Sequence, residues 1–295
     1  MVNLKEYIKE GLFDNIDKLE GKNSLESNSK QLKKEIADWI CSHYFDSPSF
    51  AKSRAIKKSA LTVDTSTTPP TVDYNWQGHL PCIHITPDTE SLCNNGMFQW
   101  GEMNIFDMNI NMDIEDIIGS PKKIKGNFVV HSRKLKSIKG GPEEVGGDFD
   151  CRRCKSLKTL EGGPEEVGGN FYCSSCSLLT NLKGAPKEVG GYFDCNYCES
   201  LKTLEGAPEK VGGFFDCVDC PQLKSLKGAP KEVGGSFRVG SWLISNCSLK
   251  SLEGAPKIIH GNFVCYTSLP EEEIDKGKQL YGVNFKIFHN SITKS

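Results

Sequence analysis

A seven-residue phrase, Gly/Ala-Pro-x-x-Val-Gly-Gly, recurs through the second half of the chain and restricts the fold more than any other feature. Its prolines Pro142, Pro164, Pro186, Pro208 and Pro230 follow one another at a constant interval of twenty-two positions. Pro121 falls one position short of that interval before Pro142, and Pro256 falls four positions beyond it after Pro230. A fixed period of this length marks a stack of like supersecondary units. Phe149 and Cys151 are two apart, the spacing of one face of a strand, and Cys154, Leu157, Leu160 and Val167 follow as further apolar points. The rest of the unit holds Gly and Pro and no sustained helical period. One such unit cannot bury its apolar face alone. Stacked units can, because each covers the next with a row of like side chains.

Phe-x-Cys-x-x-Cys resembles the L-x-L-x-x-N/C core of the leucine-rich repeat. The short period and the proline between strands look most like the compact bacterial type, with little helix on the convex side. Phe and Cys replace most of the strand leucines, and Val145 lies four rather than three before Phe149. Repeat chains with similar Leu-Glu-Gly-Ala-Pro…Val-Gly-Gly units are familiar from tailed phages and gut bacteria. The opening MVNLKEYIKEGLFDNI also resembles the short amphipathic leaders of tailed-phage proteins.

The resemblance implies a structural ladder at the second cysteine of each unit: Asn111, Ser132, Cys154, Cys176, Cys198, Cys220 and Asn246. A small polar side chain there points inward and bonds backbone groups left open as the chain leaves the strand. Counting back from Pro121 places Phe106 and Met108 in the first rung, while Phe263 and Cys265 begin the last. The expected fold is mostly β: a leucine-rich-repeat-like solenoid of about eight short parallel strands, roughly 38 Å long at ~4.8 Å per rung. Residues 104–269 form the solenoid in this reading. Residues 1–29 form an amphipathic helix (4–19) with a polar linker, and 30–103 a helical and mixed N-terminal cap. That cap holds a helix over 30–45 and short strands near Val72–Tyr74, Cys82–Ile85 and Phe98–Trp100. Residues 270–295 form the C-terminal cap.

Composition narrows the function. A formal net charge of −2 argues against a nucleic-acid partner. No apolar run reaches the ~18–20 residues of a membrane span. The opening has no secretory apolar core, so the 13 cysteines are expected to be thiols in a reducing, cytoplasmic compartment of a bacterial or phage-infected cell. Six scattered histidines form no metalloprotease pairing, and no nucleophile elbow occurs. The sequence therefore predicts no enzyme, no cofactor and no metal.

Four features compete for function. Cys151/Cys154, Cys173/Cys176, Cys195/Cys198 and Cys217/Cys220 have zinc-like pair spacing. Met108/Asn111 at the same offsets, and the extended chain that Phe149 marks in place of a tight turn, favour a buried thiol ladder. The Gly-Gly pairs lack the Gly-Lys-Ser/Thr of a phosphate loop, and their recurrence marks a positive φ or a close backbone approach. A lysine column (Lys136, Lys158, Lys202, Lys224, Lys250) is balanced by a glutamate column (Glu144, Glu166, Glu188, Glu232). The outward strand face holds Tyr172, Tyr192 and Phe214 among Asp150, Asp194 and Asp216, an aromatic–acidic patch of the kind that anchors protein partners. The expected function is non-enzymatic binding of a protein partner on that face. The alternatives are a virion or capsid-packaged structural protein with a leader, and a zinc protein using the cysteine pairs.

Overall fold

The computed structural model describes residues 31, 33–34, 61–67, 70–77, 99–106, 123–241, 248–266 and 269–288. The expected helix over 4–19, most of that over 30–45, the strand near Cys82–Ile85, and the ladder residues Asn111 and Asn246 lie outside them.

The chain is a parallel β-solenoid whose turns each contribute two short strands. One face is formed by β5 (Phe128–His131), β7 (Phe149–Asp150), β9 (Phe171–Tyr172), β11 (Phe193–Asp194), β13 (Phe215–Val218), β15 (Phe237–Gly240) and β17 (Phe263–Tyr266). The two-residue strands β4 (Lys123–Ile124), β6 (Glu144–Val145), β8 (Glu166–Val167), β10 (Glu188–Val189), β12 (Lys210–Val211), β14 (Glu232–Val233) and β16 (Ile258–Ile259) form a second, seven-stranded sheet. The first sheet is extended by β1 (Leu61–Asp64), β2 (Thr71–Gln77) and β3 (Gln99–Phe106) at one end, and by β18 (Phe285–Ile287) at the other, giving eleven strands. Among the described strands only β1 runs antiparallel to its neighbour.

Register follows the repeat. Phe171, Phe193, Phe215 and Phe237 stand opposite one another, as do Val167, Val189, Val211 and Val233 in the second sheet. Phe128, Phe149, Phe171, Phe193, Phe215, Phe237 and Phe263, one per rung, are fully buried. Successive rings from Phe128 to Phe237 stack at 5.0 to 5.4 Å between centroids. Each buried ring stabilises the fold by roughly 1.5–3 kcal/mol, and each stacked pair adds about 0.5–1.5. Leucines such as Leu157 and Leu160, and both cysteines of each pair, complete a continuous core.

Two expectations need correction. Met103, not Phe106, stands opposite Phe128, and Phe106 pairs with His131. Counting back from Pro121 assumes a unit of ordinary length, whereas the unit running from Met103 to Phe128 is three positions longer than its regular neighbours. The Cys-x-x-Cys segments also contain a tight turn. Arg153, Ser175, Tyr197 and Asp219, each just before the second cysteine, have φ of 58 to 62°. This left-handed residue swings the second cysteine back inward after the strand.

The Gly-Gly pairs serve close approach. A Cβ on Gly190 would lie 2.0 Å from the Gly168 carbonyl oxygen, so the backbones stack without side chains between them. Positive φ falls instead on the glycine two before each repeat proline from Pro142 to Pro256, as at Gly206 (φ 88°).

The C-terminal end is covered by α1 (Glu271–Tyr281), a 3-10 turn (Gly282–Asn284) and β18. Three glutamates in the first turn of α1 complement its positive end. Tyr281 lies 5.0 Å from the Phe263 ring and donates its hydroxyl to the Pro256 carbonyl. Burial pushes the Tyr281 phenol up to about 12. Phe285 covers the other part of Phe263. Among the described residues no helix is long and apolar enough to cross a membrane.

Candidate functional site: the outward strand face

The cysteines face inward, and their geometry bears on the metal alternative. Cys176, Cys198 and Cys220 each donate to the carbonyl of the first cysteine one rung earlier, at 3.3 to 3.4 Å. Cys154 donates to the equivalent Val130 carbonyl at 3.5 Å. Ser132 is buried at the same place, and its hydroxyl accepts from the Lys134 amide. Burial pushes the thiols of Cys173, Cys195 and Cys198 well above the ordinary cysteine range. At Cys151 a hydrogen bond with Cys176, and then burial, does the same. Such thiols are poor nucleophiles at neutral pH. Among the described residues no group of three or more His, Cys, Asp or Glu is arranged to hold a metal ion.

The outward face has three columns. The residue before each phenylalanine forms the first: Asn127, Asp148, Asn170, Tyr192, Phe214, Ser236 and Asn262. Most of its members cap the next rung. Asn127 accepts from the Asp148 amide, Asp148 from that of Asn170, Asn170 from that of Tyr192, and Ser236 from that of Asn262, at 2.7 to 3.0 Å. Tyr192 and Phe214 carry no acceptor to do this. Their rings stack instead, 5.0 Å apart and 9° from parallel. Gly213 and Gly235 make room, since a Cβ on either would lie 2.1 to 2.2 Å from a ring carbon. Tyr192 keeps 45% of its surface exposed.

The residue after each phenylalanine forms the second column: Val129, Asp150, Tyr172, Asp194, Asp216, Arg238 and Val264. The third, two positions further along, includes His131, Arg152, Ser174, Asn196 and Val218. The three predicted aromatics therefore do not form one stack. Tyr172 stands opposite Asp194, across the strand face from Tyr192 and Phe214. Its ring lies under the Arg152 guanidinium, at 4.7 Å.

Asp150 also departs from expectation. It is 5% exposed, bonded at both oxygens by Arg152 and approached by His131 Nε2 at 3.0 Å. Burial pushes its carboxyl up, but the hydrogen bonds from His131 and Arg152 outweigh that and hold it at about 2. Asp150 is a structural anion, covered by His131 and Arg152 of the third column. Asp194 and Asp216 remain closer to solvent. Asp216 is held by Nε and Nη2 of Arg238. Asp194 accepts from the Asn196 amide at 3.0 Å and from the Ser174 hydroxyl. Burial raises the carboxyl of each above its ordinary value.

Other surfaces offer less. The lysines Lys136, Lys158, Lys202, Lys224 and Lys250 are all exposed. Elsewhere on the turns, opposite charges face each other between rungs, as in Lys183–Glu205 (3.0 Å) and Lys231–Glu209 (2.6 Å). An open furrow of about 930 Å³ runs past Pro164 and Pro186, lined mainly by glycine and mixed charges. Sequence reasoning places Arg238 on the strand face without a role and passes over Arg152, because both roles depend on cross-rung contacts. Comparison with protein-family models, with curated proteins and with solved structures gave no match, so this face is read from its own geometry.

Proposed function

We propose that this solenoid is a non-enzymatic interaction module that binds a protein partner on its outward strand face, with Tyr192 and Phe214 as anchors. The observation that carries this reading is their place in the first column. Four other members of that column cap a backbone amide of the next rung, and these two forgo the cap for a stacked, partly exposed pair of rings. Exposed aromatics on a rigid scaffold lose little entropy on binding and are favoured interface anchors. The solenoid supplies that rigidity, because every strand of the face is held by two neighbours. Asp194 and Asp216 border the rings and supply polar contacts. The buried thiols and the structural Asp150 support a scaffold role for the remainder.

Hydrogen exchange of the complex with a partner captured from the native source tests the reading. New protection is expected at amides around 192–194 and 214–218. Protection confined to the exposed lysine turns would contradict it.

A further inference from the structure

The strand face holds two arginines in the same chemical setting. Arg238 bonds both oxygens of Asp216 while its guanidinium lies 5.1 Å over the Phe214 ring. Arg152 bonds both oxygens of Asp150 while lying 4.7 Å over the Tyr172 ring. A planar guanidinium can bind a carboxylate with two parallel N–H donors and still lay its face on an aromatic ring.

Tyr192 and Asp194 hold the same strand places as Phe214 and Asp216, one rung earlier. The rung beyond Phe214 and Asp216 supplies Arg238 at the second column. The rung beyond Tyr192 and Asp194 supplies Asp216 there instead. Asp194 thus faces a carboxylate where Asp216 faces a guanidinium. Among the described residues no cation lies within ion-pair distance of Asp194, although Arg152 exerts a weaker favourable field on it. Its carboxyl is raised by burial, and the neighbouring Asp150 charge adds to the cost of ionising it. The Tyr192 ring beside it is the most exposed aromatic of the face.

We infer that the partner presents an arginine side chain, seated against the exposed part of the Tyr192 ring and hydrogen-bonded to Asp194, the same aromatic–carboxylate pairing that Arg238 makes with Phe214 and Asp216. The inference rests on the interaction-module reading and specifies the partner's anchoring residue. A guanidinium there neutralises Asp194 and relieves its repulsion with Asp216. Lysine could supply the charge but not the bidentate, stacked geometry.

The test uses random-peptide display on the immobilised full-length protein, with Tyr192→Ala and Asp194→Asn variants as counter-selections. Asn at 194 keeps an oxygen for the Asn196 amide and removes only a half-buried charge, so its melting temperature is expected to hold or rise. Selected peptides are expected to carry arginine, to lose binding to Tyr192→Ala, and to bind Asp194→Asn about tenfold more weakly. Exchanging their arginine for lysine is expected to weaken binding at least about fivefold. Peptides that depend on Tyr192 but lack arginine, accept lysine equally, or ignore Asp194→Asn overturn the arginine assignment and leave the interaction module standing. Selection that yields no Tyr192-dependent peptide overturns both. Loss of binding by Asp194→Asn with a lowered melting temperature assigns Asp194 a structural role and overturns the inference.

Discussion

Cys176 donates its thiol proton to the carbonyl of Cys151, the inward residue just past the preceding strand, at 3.4 Å. The same bond, repeated at Cys198 and Cys220, ties the turn of each rung to the strand of the one before. The paired cysteines are thus a main-chain device: the first fills the core, and the second satisfies a carbonyl that the left-handed turn leaves open.

Cys176→Ser tests this directly. The shorter C–O bond draws the donor away from the Cys151 carbonyl and places a more polar group in an apolar core. A cost of about 1–3 kcal/mol is expected in chemical denaturation, with no change in metal content. One equivalent of zinc, present in the parent and lost in this variant, would contradict the ladder.

Phe193 stacks between Phe171 and Phe215 at 5.1 Å on each side. Phe193→Ala is expected to cost about 3–5 kcal/mol. Because each rung contacts mainly its neighbours, hydrogen-exchange protection should fall in the adjoining rungs as well. A loss confined to residues 190–200 would be incompatible with a coupled stack.

Much of this arrangement is legible in the sequence. The spacing of Phe149 and Cys151, kept in each regular unit, points both side chains inward and sets the register of the core. The first rung is misplaced by the same logic, because Met103, not Phe106, meets Phe128 and the segment between them does not keep the period. The turn between the cysteines is hidden because Arg153, Ser175, Tyr197 and Asp219 do not announce a left-handed conformation as glycine would. Asp150 reads as exposed because alternation gives the side of a strand and not what lies over it. Arg152 and His131, brought close by stacking, bury it.

The left-handed turn also offers a stability test. Tyr197 adopts φ 59° while its amide donates to the Val218 carbonyl. A non-glycine residue there costs about 1–2 kcal/mol, and glycine returns part of the gain through a freer unfolded chain. Tyr197→Gly is therefore expected to stabilise the protein by about 0.5 kcal/mol, seen as a higher denaturant midpoint with an unchanged slope. Destabilisation beyond about 1 kcal/mol would show that the Tyr197 ring supports the turn.

Asp150 sets the acid response. Its folded-state carboxyl lies at about 2, below the ordinary 3.8, so its stabilisation is complete above about pH 4 and is lost as pH falls toward 2. The shift corresponds to roughly 2 kcal/mol. Asp150→Asn is expected to be less stable at pH 7 by about that amount, with a flatter stability profile between pH 4 and 2. An unchanged profile would mean that His131 and Arg152 do not hold the ionised form.

The most direct test of the binding face pairs two measurements on Tyr192→Ala. Its ring lies outside the phenylalanine core but stacks on Phe214, so a stability loss of no more than about 0.5–1.5 kcal/mol is expected. Affinity for the partner is expected to fall by at least about 1–2 kcal/mol. Lys202→Ala, on the exposed lysine column, is expected to leave affinity within about 0.5 kcal/mol at physiological salt. Undiminished binding by Tyr192→Ala, or strong loss with Lys202→Ala together with parent binding that vanishes as salt is raised, would contradict the account and move the contact to the basic column.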